Sequence, residues 1–380
     1  MKRIHISPRA NWQEKIKQQG FVYYKGYYNE TAAYTFSAPE IDKIEAITQE
    51  LFSRCLDVVQ HVIDNDLWDE FFIPRKFADL IKWSWENDNP SLYGRFDLAV
   101  SSDCEQIKML EFNADTPTSL LEASVIQWYW LQDFDDRKDQ FNSLHEKLVA
   151  HLKVCKDYLN GDMKLWFACV NNSEEDFMTV KYLQDCADQA GVKNDFLYIN
   201  DLSVQDTYLQ TPFFTKSKEP VNNIFKLYPY EWMFHEAFQD ELIAKRDHTL
   251  WIEPPYKAIL SNKMLLVYLH KLFPNHPNIL PAYYNDSSRF NGDYVQKPVL
   301  GREGANVTVV RNGSPVERTN GDYGYEGFVF QEYFPIPTFD GMTPVLGSWL
   351  IAGESAGMGI KETSGLVHGN MSQFIPHYFE

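Results

Sequence analysis

The apolar positions of this chain change period several times, and each change marks an element. Ile41, Ile44, Ile47, Leu51, Val58 and Val62 recur at helical spacing, the stripe of a half-buried helix. Ser37 stands three residues before Glu40, the spacing of a capping box, so this helix is expected to begin within SAPE (37–40). A second helix is expected after Pro74, through the Trp83 region. In DLAVSSDCEQIKMLEF the spacing changes to that of a hairpin, with strands near 95–101 and 106–113 around a polar turn. TSLLEASVIQWYWLQDF then reads as a buried helix whose first turn sits at the hairpin's end. MKLWFACV, EEDFMTVKYLQDCADQAG and DFLYIN form a strand–helix–strand unit whose helix stops at Gly191, and NNIFKLYP adds a strand. A helical stretch covers about 255–275. Beyond it DYVQKPV, ANVTVV, EGFVFQEYF and VLGSWLIA are strand-like, so the block from about 290 reads as antiparallel sheet. Residues 1–36 are Tyr-rich and show no helical period. The pattern is that of a mixed α/β chain.

Composition narrows the class. With 380 residues, 44% hydrophobic and 15% aromatic, the chain can bury an ample core as two domains or one elaborated one. A net charge of −18 disfavours nucleic acid and anionic membrane surfaces as partners. The five cysteines (Cys55, Cys104, Cys155, Cys169, Cys186) are dispersed with no CxxC pair, which fits reduced thiols better than a disulfide framework or zinc site. The start, MKRIHISPRANWQEK, lacks the apolar run of a signal peptide. No apolar run approaches the roughly 18 residues of a membrane span. A cytoplasmic protein is expected.

Chemistry is suggested first by KMLEFNADTPTS (108–119), where Glu111, Asn113 and Asp115 fall on alternate positions and share one face if the segment stays extended. A solvated strand edge and a metal or phosphate site both account for that pattern. In YVQKPVLGREGANV (294–307) a strand bearing Lys297 runs into a loop with Gly301, Arg302, Glu303 and Gly304. Glycines let backbone N–H groups approach phosphates. The loop is not GxxxxGK[ST] and leads into a strand, which excludes a Walker loop; a plain hairpin turn explains its glycines equally well. Lys263, at the start of a helix, also reads as a solvated lysine, and FVFQEYFP as a buried strand.

Taken together and in order, YGRFD (93–97), LEFNADTPTS (110–119), SNK (261–263), QKPVLGREGAN (296–306), FVFQEYFP (328–335) and GSWLIAGESAGMGIKE (347–362) closely resemble the glutathionylspermidine synthase family. The resemblance runs from SPR near the start to FIPHYF at the end. It implies an ATP-grasp-type fold of the α/β (α+β) class, circularly permuted, with antiparallel sheets and an additional α/β substrate-side domain. The permutation follows because the E-x-N pair precedes Lys263 by roughly 150 residues. Approximate sub-parts are 1–150 (metal and substrate site), 151–240 (substrate side) and 241–380 (nucleotide side).

The resemblance also implies an ATP- and Mg²⁺-dependent ligase that turns a carboxylate into an acyl phosphate for attack by an amine. Its partners would be a glutathione-like carboxylate and a polyamine-like amine. Glu111 and Asn113, with Asp97 on the paired strand, would ligate magnesium through hard oxygen donors. Arg95, two positions before Asp97, would stabilise the transferring phosphoryl; a structural Arg–Asp pair is the plainer reading. Phe96 belongs to the same cofactor-side segment. Lys263 and Lys297 would reach the phosphates, with Glu303 and Gly304 in a covering loop. Gln331, Glu332 and Tyr333 would hold adenine and ribose, and Leu366 would pack on the base or serve as ordinary core.

Two departures bear on substrate. The chain corresponds to the synthetase half alone, without the amidase half of bifunctional relatives. GIKE replaces the synthetases' GIRE, putting Lys361 where an arginine would meet the transferring phosphate, with loss of the planar fork. Thr116 and Thr118 stand where serines tend to hold glutathione. Glu174, Glu175 and Asp176 open a helix as an acidic cluster that would receive a cationic amine, although helix-dipole capping is the plainer explanation. The other readings are a kinase-like enzyme that phosphorylates its acceptor, and a non-catalytic nucleotide-binding protein.

Overall fold

A computed structural model describes residues 1–205, 211–369 and 372–380. Its centre is a five-stranded antiparallel sheet in the order Gln373–Ile375, Glu354–Thr363, Thr343–Ile351, Tyr93–Val100, Ile107–Asn113. The expected hairpin therefore forms, and its register sets Asp97 opposite Glu111 and Arg95 opposite Asn113. Because strand side chains alternate, these four lie on one face. Phe96 and Phe112 lie on the other, stacked at 4.1 Å and buried in the core.

That core face is covered by the long helix Ala38–Asp64, whose Ile41, Ile44, Leu51, Val58 and Val62 are all buried. The capping expectation holds, since the Glu40 carboxylate accepts the Ser37 N–H at 2.7 Å. The second expected helix is Ala78–Glu86. The strand–helix–strand unit becomes half of a four-stranded parallel sheet, ordered Leu250–Ile252, Asn223–Leu227, Leu165–Cys169, Asn194–Tyr198. Leu165–Cys169, Asn223–Leu227 and Leu250–Ile252 are near-continuous apolar runs buried on both faces, as strands of a covered parallel sheet are, whereas Asn194–Tyr198, at one edge, buries only Leu197.

Three expectations need correction. The block after 290 is not one sheet. Tyr294–Pro298, Thr308–Arg311 and Phe328–Glu332 join Ala282–Tyr284 and Ser314–Arg318, whereas Thr343–Ile351 pairs with Tyr93–Val100 in the central sheet. The helix over 255–275 is broken into Lys257–Leu260 and Met264–Leu272 around Lys263. The helix after the hairpin opens with a π-helical turn, Glu122–Ile126, before the α-helix Gln127–Asp135. A π-turn widens the helix by one residue per turn, and Glu122 sits at it.

Two buried ion pairs tie the parallel sheet to the hairpin's end. Lys226 Nζ donates to Asp115 at 2.5 Å, both side chains fully buried, and the other Asp115 oxygen accepts the Tyr230 N–H. Lys257, paired with Glu253, donates to the Tyr93 and Ala114 carbonyls. All five cysteines are free and buried. No helix among the described residues is long and apolar enough to cross a membrane.

Candidate active site

The polar face of the hairpin opens into two adjoining cavities. The first has polar walls that include Arg95, Asn113, Thr116, Thr118 and Lys361. The second lies between the hairpin and the C-terminal sheet and is walled by Val295, Val307, Val309, Val345 and Leu366, with Lys297 and Gln331–Tyr333. Asp97, Glu111, Lys263, Glu303 and Gly304 border both. Elements far apart in sequence thus converge on one junction.

Two cations at the junction, Arg95 and Lys263, are ion-paired. Arg95 Nε donates to Asp97 Oδ1 at 2.7 Å and Arg95 Nη1 to the Thr118 carbonyl. This pose depends on Gly347, because a Cβ there would stand 2.8 Å from Arg95 Cδ. Lys263, at the helix break, sits 3.4 Å from Glu111 and donates to the Gly301 carbonyl. Lys297 donates to the Leu110 carbonyl at 2.9 Å and to Gln331 Oε1 at 2.8 Å. Burial pushes Glu111 up, but Lys263, Lys297 and Arg95 outweigh it and hold the carboxyl at about 2. Burial, reinforced by Lys263, brings Lys297 down to about 8 against the pull of Glu111.

Asp97, Glu111 and Asn113 offer two carboxylates and an amide from adjacent strands. Among the described residues no three His, Cys, Asp or Glu side chains cluster tightly enough to hold a metal by themselves. A hard cation that also takes phosphate oxygens and water suits this partial oxygen set. The buried Asn113 Nδ2 has no hydrogen-bond partner, consistent with an amide whose partner is supplied from the cavity.

Other expected residues fall into place unevenly. Phe96 is a core side chain turned away from both cavities, which leaves only its backbone to meet a bound group there. The Gln331 amide is consumed in bridging, accepting from Lys297 and donating to the Met109 carbonyl; it fixes Lys297 against the hairpin. Glu332 is at the exposed rim, and Tyr333 lies beneath the Arg311 guanidinium at 4.1 Å. Leu366 reaches the apolar cavity from a segment whose Leu366 and Val367 N–H groups are held by Glu317. Thr116 Oγ1 accepts from Arg302 at 2.6 Å. Glu174 stays exposed at a helix start capped by Ser173 and outside the cavities. Glu175 turns inward, raised by burial despite Lys361.

Lys361 lines the polar cavity 5.1 Å above the Tyr27 ring, its pKa lowered by burial and by Arg95. Nearby, Glu122 is fully buried and raised to about 7 by burial and Glu175, and Asp176 is raised to about 6 by the same causes. Sequence reasoning missed Glu122 and His368 and gave Arg302 no role. A lone carboxylate within the apolar run LLEASVI was a usable sign for Glu122. Arg302 stood inside the GREGAN loop already singled out.

Comparison with known proteins follows the same outline. The family described as glutathionylspermidine synthase preATP-grasp matches residues 3–380. A Haemophilus influenzae protein with the provisional name acid–amine ligase is 39% identical across the whole of both chains. Trypanothione synthetase of Crithidia fasciculata is 26% identical over 86% of this chain, and the bifunctional glutathionylspermidine synthetase/amidase of Escherichia coli 23% over 90%. The chain spans just over half the length of those two, 53% and 58%. In fold it is similar to a glutathione synthetase-like effector from Globodera pallida, with a TM-score of 0.60 at 12% identity, covering 97% and 96% of the two chains.

Proposed function

The chain belongs to the glutathionylspermidine synthase family, and from that premise we propose that it is an ATP- and Mg²⁺-dependent acid–amine ligase working through an acyl phosphate. The observation that carries this reading is the junction where Asp97, Glu111 and Asn113 meet Lys263, Lys297 and Arg95. Lys263 and Lys297 take phosphate oxygens, and the apolar cavity with the strand end at Gln331–Tyr333 takes the base and sugar. Asp97, Glu111 and Asn113 hold magnesium, which neutralises phosphate charge when bound. The hairpin lying ahead of both lysines along the chain supports a permuted ATP-grasp arrangement.

A substrate carboxylate bound beside Thr116 and Thr118 attacks the terminal phosphorus, and the bond from that phosphorus to the ADP oxygen breaks. Arg95 and Lys361 hold the migrating phosphoryl, a stabilisation realised mainly in the transition state. The amine enters as a cation past Glu175 and Asp176 and passes a proton to that carboxylate pair. Its nitrogen attacks the acyl carbon, and phosphate leaves with the electrons of the C–O bond and takes up the second proton that the nitrogen sheds. A peptide-like carboxylate and a polyamine-like amine suit these hydroxyls and carboxylates.

ADP release across a panel of carboxylates and amines, with mass spectrometry of products, tests the reading. An amide formed with one ADP per bond is expected. A stable phosphorylated acceptor without amide makes the enzyme a kinase, and no nucleotide turnover with any pair rejects the ligase.

A further inference from the structure

One side chain at the junction has no role in the scheme above. His368 borders both cavities of the candidate site and a third, smaller one beneath Arg95 and Lys361. Both of its ring nitrogens are shielded from solvent, and neither has a hydrogen-bond partner. The Thr343 carbonyl acts on the ring's ionisation but lies outside hydrogen-bonding geometry. A shielded polar atom left unpaired costs roughly 1–3 kcal/mol, and native structures leave few of them. Two on one ring, facing the meeting point of three cavities, call for a partner that arrives with the ligand.

The ring is also held in place. Glu317 fixes the preceding Leu366 and Val367 N–H groups. Gly304, at φ +68°, packs so closely on the His368 carbonyl that any Cβ would run into it. The imidazole is therefore pinned to the same loop, Arg302–Gly304, that borders the phosphate lysines. Burial and the nearby Lys361 bring its pKa down to about 4, so the ring is neutral near pH 7, with one N–H donor and one acceptor nitrogen.

Resting on the nucleotide reading of the site, we propose that His368 donates a hydrogen bond to the terminal phosphoryl group of bound ATP, at the passage between the nucleotide cavity and the substrate cavity. From there it stays with the phosphoryl as that group moves toward Arg95 and Lys361. Lys297 borders the nucleotide cavity alone, and Lys263 is already engaged by Glu111, so neither lysine stands as His368 does, unpaired where the three cavities meet. His368 is the group that senses the last phosphate.

Calorimetry with Mg·ADP and with the β,γ-imido analogue of ATP tests this on the wild type, His368→Ala and His368→Asn, with a melting curve for each. Wild type is expected to bind both nucleotides. His368→Ala should weaken the analogue between about 10- and 100-fold, the range of a hydrogen bond to a charged group, and leave ADP within about twofold. His368→Asn keeps an N–H donor and should fall between. Unchanged binding of the analogue, or equal loss of both nucleotides, overturns the contact. If the wild type binds neither nucleotide, the nucleotide reading of the cavity itself fails and this contact with it.

Discussion

Arg95 illustrates how one side chain carries both bracing and chemistry. Its Nε and both terminal nitrogens are engaged, by the two Asp97 oxygens and the Thr118 carbonyl, which fixes the plane of the guanidinium over the cavity floor. Lysine keeps the charge but not the fork. Arg95→Lys should lower kcat by on the order of 10²-fold, about 2.7 kcal/mol, with the KM for ATP nearly unchanged. Unchanged kcat with a lowered melting temperature would reduce Arg95 to a brace for Asp97. Lys361→Arg, which converts GIKE to GIRE, should be tolerated or mildly activating in the same assay. Glu122 supports a pH prediction. Its folded pKa of about 7 exceeds the ordinary 4.5 because burial and Glu175 disfavour the charge. Between those values the folded state binds the extra proton, so this residue withdraws stability as pH rises from about 4.5 to about 7, by up to about 3 kcal/mol. Glu122→Gln should melt like wild type near pH 4.5 and above it at pH 8; parallel melting curves across that range would remove the assignment.

At the scale of elements, the strand Thr343–Ile351 determines how Arg95 lies. Gly347 faces Asp97 across the pair, and its missing Cβ is the space occupied by the Arg95 stem. Gly347→Ala should displace the guanidinium and reduce kcat by at least tenfold while costing about 1–3 kcal/mol of stability, as overpacking does; kinetics and melting on one sample check both. Such tertiary reasons explain what the sequence alone could and could not disclose. The helix Ala38–Asp64 and the hairpin were legible because each buries one face against the core, and burial imposes a period. Glu111 and Asn113 were legible with them, since a hairpin register needs only local spacing. The split of the C-terminal strands into two sheets was not, because Thr343–Ile351 reads like its neighbours and its partner lies roughly 250 residues earlier. Phe96 was misplaced by its company: flanked by Arg95 and Asp97, it faces the opposite side by strand alternation. His368 had no pattern at all, being brought to the junction by a loop whose path depends on Gly304 and Glu317.

For the whole molecule, the parallel sheet and the hairpin are joined through charges that water does not reach. Lys226→Met would leave Asp115 ionisable, buried and short of its partner, and removing one member of such a pair costs about 3–5 kcal/mol. A lowered unfolding free energy by denaturant titration, with nucleotide affinity falling in parallel, is the expected result; a neutral outcome would mean that the Tyr230 N–H suffices for Asp115. The pairing of charge extends to the cavity mouth, with a kinetic consequence. Lys263 is turned on Glu111 and Arg95 on Asp97, so the cations that grip phosphate project little field beyond the protein, whose net charge is −18. A polyanion approaching this surface is not steered inward and has to exchange partners with groups already in contact. Association should therefore be slow to moderate, roughly 10⁵–10⁷ M⁻¹s⁻¹, and should rise modestly with ionic strength, because salt screens the repulsion between this acidic chain and a polyanion. Stopped-flow binding across a salt series would expose a steep decline if the cleft attracted its nucleotide from afar, and selectivity in this molecule would then be decided at encounter rather than by the rearrangement that follows it.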